Sequence, residues 1–184
     1  MKGITNRRIV RALAGVGVAV LALGAAAGDA GAAAVVVKAS GPLVRYANPY
    51  GNGTANPVLE GATARVHAVE DANGKTIVTL EVAGLTPNRE FGSHVHMLPC
   101  NVNKAGGHYQ NVPGTGQNYA NPENEVWLDF TTDADGTGHA QAKVDWTFRS
   151  GGAKAVIIHD HLTSETDPTA GVAGARLACL DVDF

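Results

Sequence analysis

Along most of the chain apolar and polar residues alternate with a period of two, the repeat of a strand that turns one face to a core and the other to water. Residues 34–46 and 58–82 read as strands. The second stretch folds back at Asp71-Ala72-Asn73-Gly74, whose Asn-Gly pair is a strong hairpin signal between arms at 64–69 and 76–82. Residues 84–89 read as a turn and 91–97 as a further strand. From 98 to 125 the pattern stops: Asn, Gly, Pro, Gln and Tyr dominate, with neither period. An irregular stretch of that length inside a compact domain is usually functional or disordered. Alternation returns at 126–132, turns through Asp133-Ala134-Asp135-Gly136 and continues over 138–148. Residues 154–159, Lys-Ala-Val-Ile-Ile-His, form a dense run of the buried kind, 160–173 is a second irregular stretch, and 176–182 a final strand. About eight short strands and no helical period predict an all-β fold, an eight-stranded antiparallel Greek-key barrel or sandwich with two long functional loops.

The first 32 residues follow another rule. Lys2, Arg7, Arg8 and Arg11 precede an apolar run over 12–27 and the small-residue site Ala30-Gly31-Ala32, the layout of a cleaved export signal. The expected organisation is therefore a signal over 1–32 and one β domain over 33–184. Arg7-Arg8 suits twin-arginine export and the apolar run suits general secretion, so the route stays open. So does the destination among periplasm, cell surface and external medium. Removing the signal changes the net charge from −3 to about −6, with ten basic residues against sixteen acidic ones. With no Lys/Arg cluster, such a domain lacks the electrostatic footprint for nucleic acid or anionic lipid. After signal cleavage no membrane anchor is expected.

Candidate chemistry comes from Cys and His. Cys100 and Cys179 are the only cysteines. In an exported chain one disulfide is the simpler reading and a pair of metal-binding thiolates the other; neither cysteine has a CxxC partner. All seven histidines lie beyond the signal. His94 and His96, two apart on a strand, share a face. His108 follows Gly106-Gly107, where the freed backbone can return an imidazole to that strand, and His159 ends the run at 154–159. Four imidazoles from three elements suit copper, zinc or iron rather than magnesium or calcium. His67 and His139, inside strands and without a second ligand nearby, read as ordinary surface or satisfied histidines, and His161 as a loop residue near the site mouth, with an auxiliary ligand as the other reading.

Several segments stand together in a familiar order: Phe91-Gly92-Ser93-His94-Val95-His96, Cys100, Gly106-Gly107-His108-Tyr109, Asp133-Ala134-Asp135-Gly136, Val156-Ile157-Ile158-His159, and Gly171-Val172-Ala173-Gly174-Ala175-Arg176-Leu177-Ala178-Cys179. In order and rough spacing they resemble the copper/zinc superoxide dismutases over nearly all of 33–184. Ser93 and Val172 are minor departures. The resemblance implies that His94, His96, His108 and His159 bind copper, with His108 matching the histidine that bridges copper and zinc. It also implies that Arg176 attracts and orients the superoxide anion, and that Cys100 and Cys179 form the family disulfide.

One departure carries more weight than the match. Residues 109–134 contain no histidine, so the family's zinc site loses its nitrogen donors, and the second loop is shorter than is usual. Both features resemble the copper-only branch, which implies copper as the cofactor and zinc absent. The outward nitrogen of His108 then needs another partner, and a carboxylate is the ordinary one. Glu125 is expected in that role, with Glu123 and Asp129 as substitutes. The implied function is an exported superoxide dismutase alternating between Cu(II) and Cu(I), with superoxide as substrate and a copper donor as a possible partner. The rival reading is a protein that stores or buffers copper on the same scaffold, for which Arg176 would be unnecessary. Oligomeric state is open.

Overall fold

The computed structural model describes residues 34–51 and 55–184; the expected signal over 1–32 lies outside the described residues. Within them the alternating pattern forms strands β1 (Val35–Pro42), β2 (Val44–Arg45), β3 (Val58–Glu70), β4 (Thr76–Leu85), β5 (Glu90–Phe91), β6 (Ser93–His96), β7 (Phe130–Thr131), β8 (Gly138–Val144), β9 (Ala155–His159) and β10 (Arg176–Asp181). Two four-stranded sheets, ordered β1-β3-β4-β8 and β2-β10-β9-β6, and a β5-β7 ribbon result. Every pairing is antiparallel.

The all-β antiparallel fold is as the pattern predicts, but the described residues hold ten segments rather than eight, and the splits have local causes. The stretch 34–46 breaks at buried Leu43, so that β1 joins the first sheet and β2 the second. The stretch 91–97 breaks at Gly92, where a Cβ would lie 2.4 Å from the His161 carbonyl oxygen and 2.7 Å from Ala173 Cβ. The stretch 126–132 is a strand only at its end, its Trp127 making a single bridge to His94.

The sheets bury alternate residues between them. On β4, Val78, Leu80 and Val82 enter the core and Ile77 and Glu81 face out. In the second sheet β9, apolar over 155–158, is buried on both faces, as such a run requires. Val156 and Ile158 of β9 join the core with Val95 and Leu180, whereas Ala155 and Ile157 pack with Cys100, Ala105 and Cys179 in a separate cluster. That cluster carries the irregular stretch after β6 over the sheet's outer face. No helix among the described residues is long and apolar enough to cross a membrane.

Candidate metal centre

The outer face of the second sheet is where the histidines meet. His94 and His96 lie opposite Ile157 and Ala155 in the β6-β9 register, and His159, two residues beyond Ile157, has the same facing. His108 reaches them from the loop. Tyr109 N–H donates to Val95 O at 2.8 Å, Met97 N–H to Gly107 O at 3.0 Å, and His96 bridges His108. One ring nitrogen from each of the four histidines lies within 4.8 Å of all the others.

Proton counting shows which nitrogens point inward. His108 Nδ1 is 2.8 Å from Glu125 Oε2, and His96 Nδ1 is 3.1 Å from Gly106 O; both oxygens only accept, so both Nδ1 atoms carry the proton. His159 Nδ1 approaches Gly174 O at 3.4 Å. His94 is the reverse case. Its Nε2 lies 2.6 Å from Thr163 Oγ1, whose single proton goes to Asp129 Oδ1 at 2.7 Å, so the hydroxyl accepts from Nε2–H. Nδ1 of His94 is left buried without a partner. An orphaned buried acceptor is costly, and a cation amid three further imidazole lone pairs is the partner it lacks. The all-nitrogen donor set fits copper.

The rings of His94, His96 and His159 are held neutral, the form that binds metal. Burial, then the charges of His108 and His159, depresses His94 well below the ordinary imidazole value. Burial and His108 take His96 down to about 2 and His159 to about 3. The positive charge of Arg176 adds to the depression of all three.

The carboxylates divide the work. Glu125, 2% exposed, accepts from His108 and also from Trp127 Nε1 and Gln110 Nε2, each at 2.8 Å. Asp129 lies elsewhere, accepting from Ser93 N–H, Thr163 N–H and the Thr163 hydroxyl at 3.0, 2.6 and 2.7 Å, and so reaches His94 through Thr163. Glu123 is exposed, and its backbone oxygen accepts from Trp146 Nε1.

Arg176 reaches the site through a fault in the ladder. Arg176 and Ala178 are two apart, yet they pair with the consecutive residues His159 and Ile158. The bulge puts Leu177 and Ala178 both in the core. Arg176, which regular alternation would send inward with Ala178 and Leu180, is thereby turned to the face of His159. Its Nη1 donates to Lys104 O at 2.6 Å. That carbonyl belongs to a turn, Asn103–Ala105, in which all three residues take positive φ, at 46°, 50° and 70°. A strained turn persists only where its surroundings hold it, and the residue that follows the turn, Gly106, carries the carbonyl that holds His96.

Cys100 and Cys179 form a disulfide with an S–S distance of 1.96 Å, which excludes the thiolate reading and ties the start of the loop to β10. His67 and His139 lie on strands of the first sheet, away from the cluster. His161 is exposed and its Nε2 is 3.3 Å from Asp160 Oδ2. Thr163, Trp127, Gln110 and the Lys104 carbonyl are functional neighbours that sequence reading missed. The one signal for them was a Trp two residues after Glu125.

The chain is similar to known proteins. The family model described as copper/zinc superoxide dismutase matches residues 61–180. Among solved structures, the chain is similar to the clock protein EA4, at 19% identity and a TM-score of 0.53, over 82% of this chain and 92% of that one. It is also similar to a superoxide dismutase-like protein from Bacillus subtilis, at 18% identity and a TM-score of 0.53, over 81% of this chain and 97% of that one. A double mutant of such a Bacillus subtilis protein gives 20% identity and a TM-score of 0.54, over 81% and 96%. At these identities the structural likeness speaks for the fold.

Proposed function

The chain belongs to the copper/zinc superoxide dismutase family, and from that premise we propose that it is an exported superoxide dismutase that uses copper and no zinc. The observation that carries the reading is the set of four converging imidazole nitrogens, with Arg176 opposite His159 and a carboxylate behind His108. His94, His96, His108 and His159 would hold the ion. Bound copper would supply a one-electron couple, Cu(II)/Cu(I), through which one superoxide leaves as dioxygen and a second leaves, with two protons, as hydrogen peroxide.

The chain's own residues supply the rest. Arg176 offers the local positive charge that a net-negative domain needs to draw in a small anion. Nε2 of His108 is the nitrogen that can take up and return a proton, while Glu125 fixes the ring through Nδ1. The absence of zinc is supported by the lack of histidine over 109–134 and by Glu125 occupying the outward nitrogen where a second metal would bind. Export is supported by the signal-like first 32 residues and by the disulfide, which suits an oxidising compartment.

Metal analysis of the purified protein together with a dismutation assay tests the reading. One copper per chain, no zinc and catalysis above that of free copper are expected. Stoichiometric zinc would overturn the copper-only assignment, and copper without dismutation would point to copper storage instead.

A further inference from the structure

Glu125 sits where a loop ligand needs a fixed partner, and two further side chains fix it. Its Oε2 accepts from His108 Nδ1 and Trp127 Nε1, and its Oε1 from Gln110 Nε2, all at 2.8 Å. Gln110 cannot flip to present its oxygen, because that oxygen accepts Gly114 N–H at 2.9 Å. The indole nitrogen of Trp127 is a donor only. Neither group can therefore do anything to the carboxylate except donate to it.

Trp127 has a second attachment. Its ring stands edge-on to His94 with centroids 6.0 Å apart, and its backbone bridges that of His94. It thus connects the ligand fixed on β6 to the carboxylate that orients the ligand on the loop. Gly171, from the second loop, covers the assembly: a Cβ there would lie 3.9 Å from both Glu125 Oε2 and His108 Nδ1 and 3.0 Å from Ala120 Cβ. A buried carboxylate with one donor would be left to rotate or to admit water, because its unpaired lone pairs are costly.

We propose that Trp127 and Gln110 are positioning residues for His108, holding the Glu125 carboxylate in the orientation that accepts the hydrogen bond from Nδ1–H and so keeping Nε2 turned to the cluster. The proposal rests on reading the four histidines as a metal centre, but its central observable does not require the ion.

The test is nitrogen–proton correlation of the histidine rings in the full, metal-free chain, paired with copper titration and thermal unfolding. Native His108 is expected as the Nδ1–H tautomer alone. Trp127→Phe, which keeps a ring against His94 but removes the donor, and Gln110→Leu should each introduce the other tautomer. Each should also weaken copper binding by roughly fivefold, the effect of one lost hydrogen bond. An unchanged His108 tautomer in both variants would overturn the proposal, whatever the copper titration shows. If Trp127→Phe unfolds, Gln110→Leu decides. If the native chain fails to bind copper at all, the metal-centre reading falls and the ring spectra still settle the role of the two residues.

Discussion

Two kinds of histidine meet at the cluster, and they are held in different ways. His94 and His96 stand on β6 with 0% exposure, their backbone fixed by pairing to β9, and neutral oxygens of Thr163 and Gly106 suffice to set their rings. His108 stands on a loop after two glycines, its side chain 17% exposed, and is held by the buried carboxylate of Glu125 with two further donors behind it. Where the sheet fixes position, a weak neutral contact completes the geometry; where a loop must do so, charge-assisted bonds and a covalent tie take over. Cys100 begins that loop and the disulfide to Cys179 anchors it.

Breaking the tie should have the largest effect. With the two cysteines 79 positions apart, the chain-entropy relation assigns the disulfide about 4.5 kcal/mol. Replacing both cysteines with serine should lower unfolding free energy by an amount of that order in urea titration. Hydrogen exchange should rise first over 97–110, with β6 protected longest. Equal loss of protection in both regions would erase the distinction between strand and loop.

Glu125→Gln sharpens the comparison from the other side. Removing the charged partner of a metal-ligating histidine costs roughly 10–100-fold in metal affinity or activity. Copper titration should show a loss in that range, against a smaller one, about fivefold, for Thr163→Val behind the strand-borne His94. A larger effect of Thr163→Val would mean that the sheet does not fix His94.

Acid should act on the strand-borne rings. The folded-state values of His96 and His159 lie below the ordinary value of about 6.5, at about 2 and about 3. Above pH 6.5 neither folded nor unfolded chain protonates them, and their contribution is complete. As pH falls below that, the unfolded chain takes up protons that the folded one refuses, and stability declines until the folded values are reached. Metal-free protein should therefore lose stability between pH 6 and 4. In His159→Gln the slope should be shallower by about 1.4 kcal/mol per pH unit. Identical slopes would show that His159 protonates freely in the fold.

Much of this was legible in the sequence, for physical reasons that differ by residue. The turns at 71–74 and 133–136 follow from local chemistry, and His94 and His96 share a face because a strand repeats every two residues. Glu125 could be named because the family resemblance, with the zinc site's histidines missing, leaves the outward nitrogen of His108 in need of a partner, and few acids lie near. Two features were out of reach. The bulge at Leu177 reverses the facing that alternation assigns to Arg176, and nothing in Arg-Leu-Ala-Cys announces it. The Thr163–Asp129 bond joins residues 34 apart in sequence, and Thr163 lies in the irregular stretch 160–173, which carries no period to read.

The bulge also puts the central claim within reach of one measurement. If Arg176 was turned outward to draw superoxide to a copper ion held by the four histidines, its charge must show in the rate. Pulse radiolysis of zinc-free, copper-loaded native protein and of Arg176→Ala at equal copper content is the direct comparison. The native protein should react about tenfold faster at low ionic strength, the lower end of electrostatic steering, and the gap should narrow as salt is added. Equal rates at every salt concentration would contradict the dismutase reading and leave a copper-binding protein in its place.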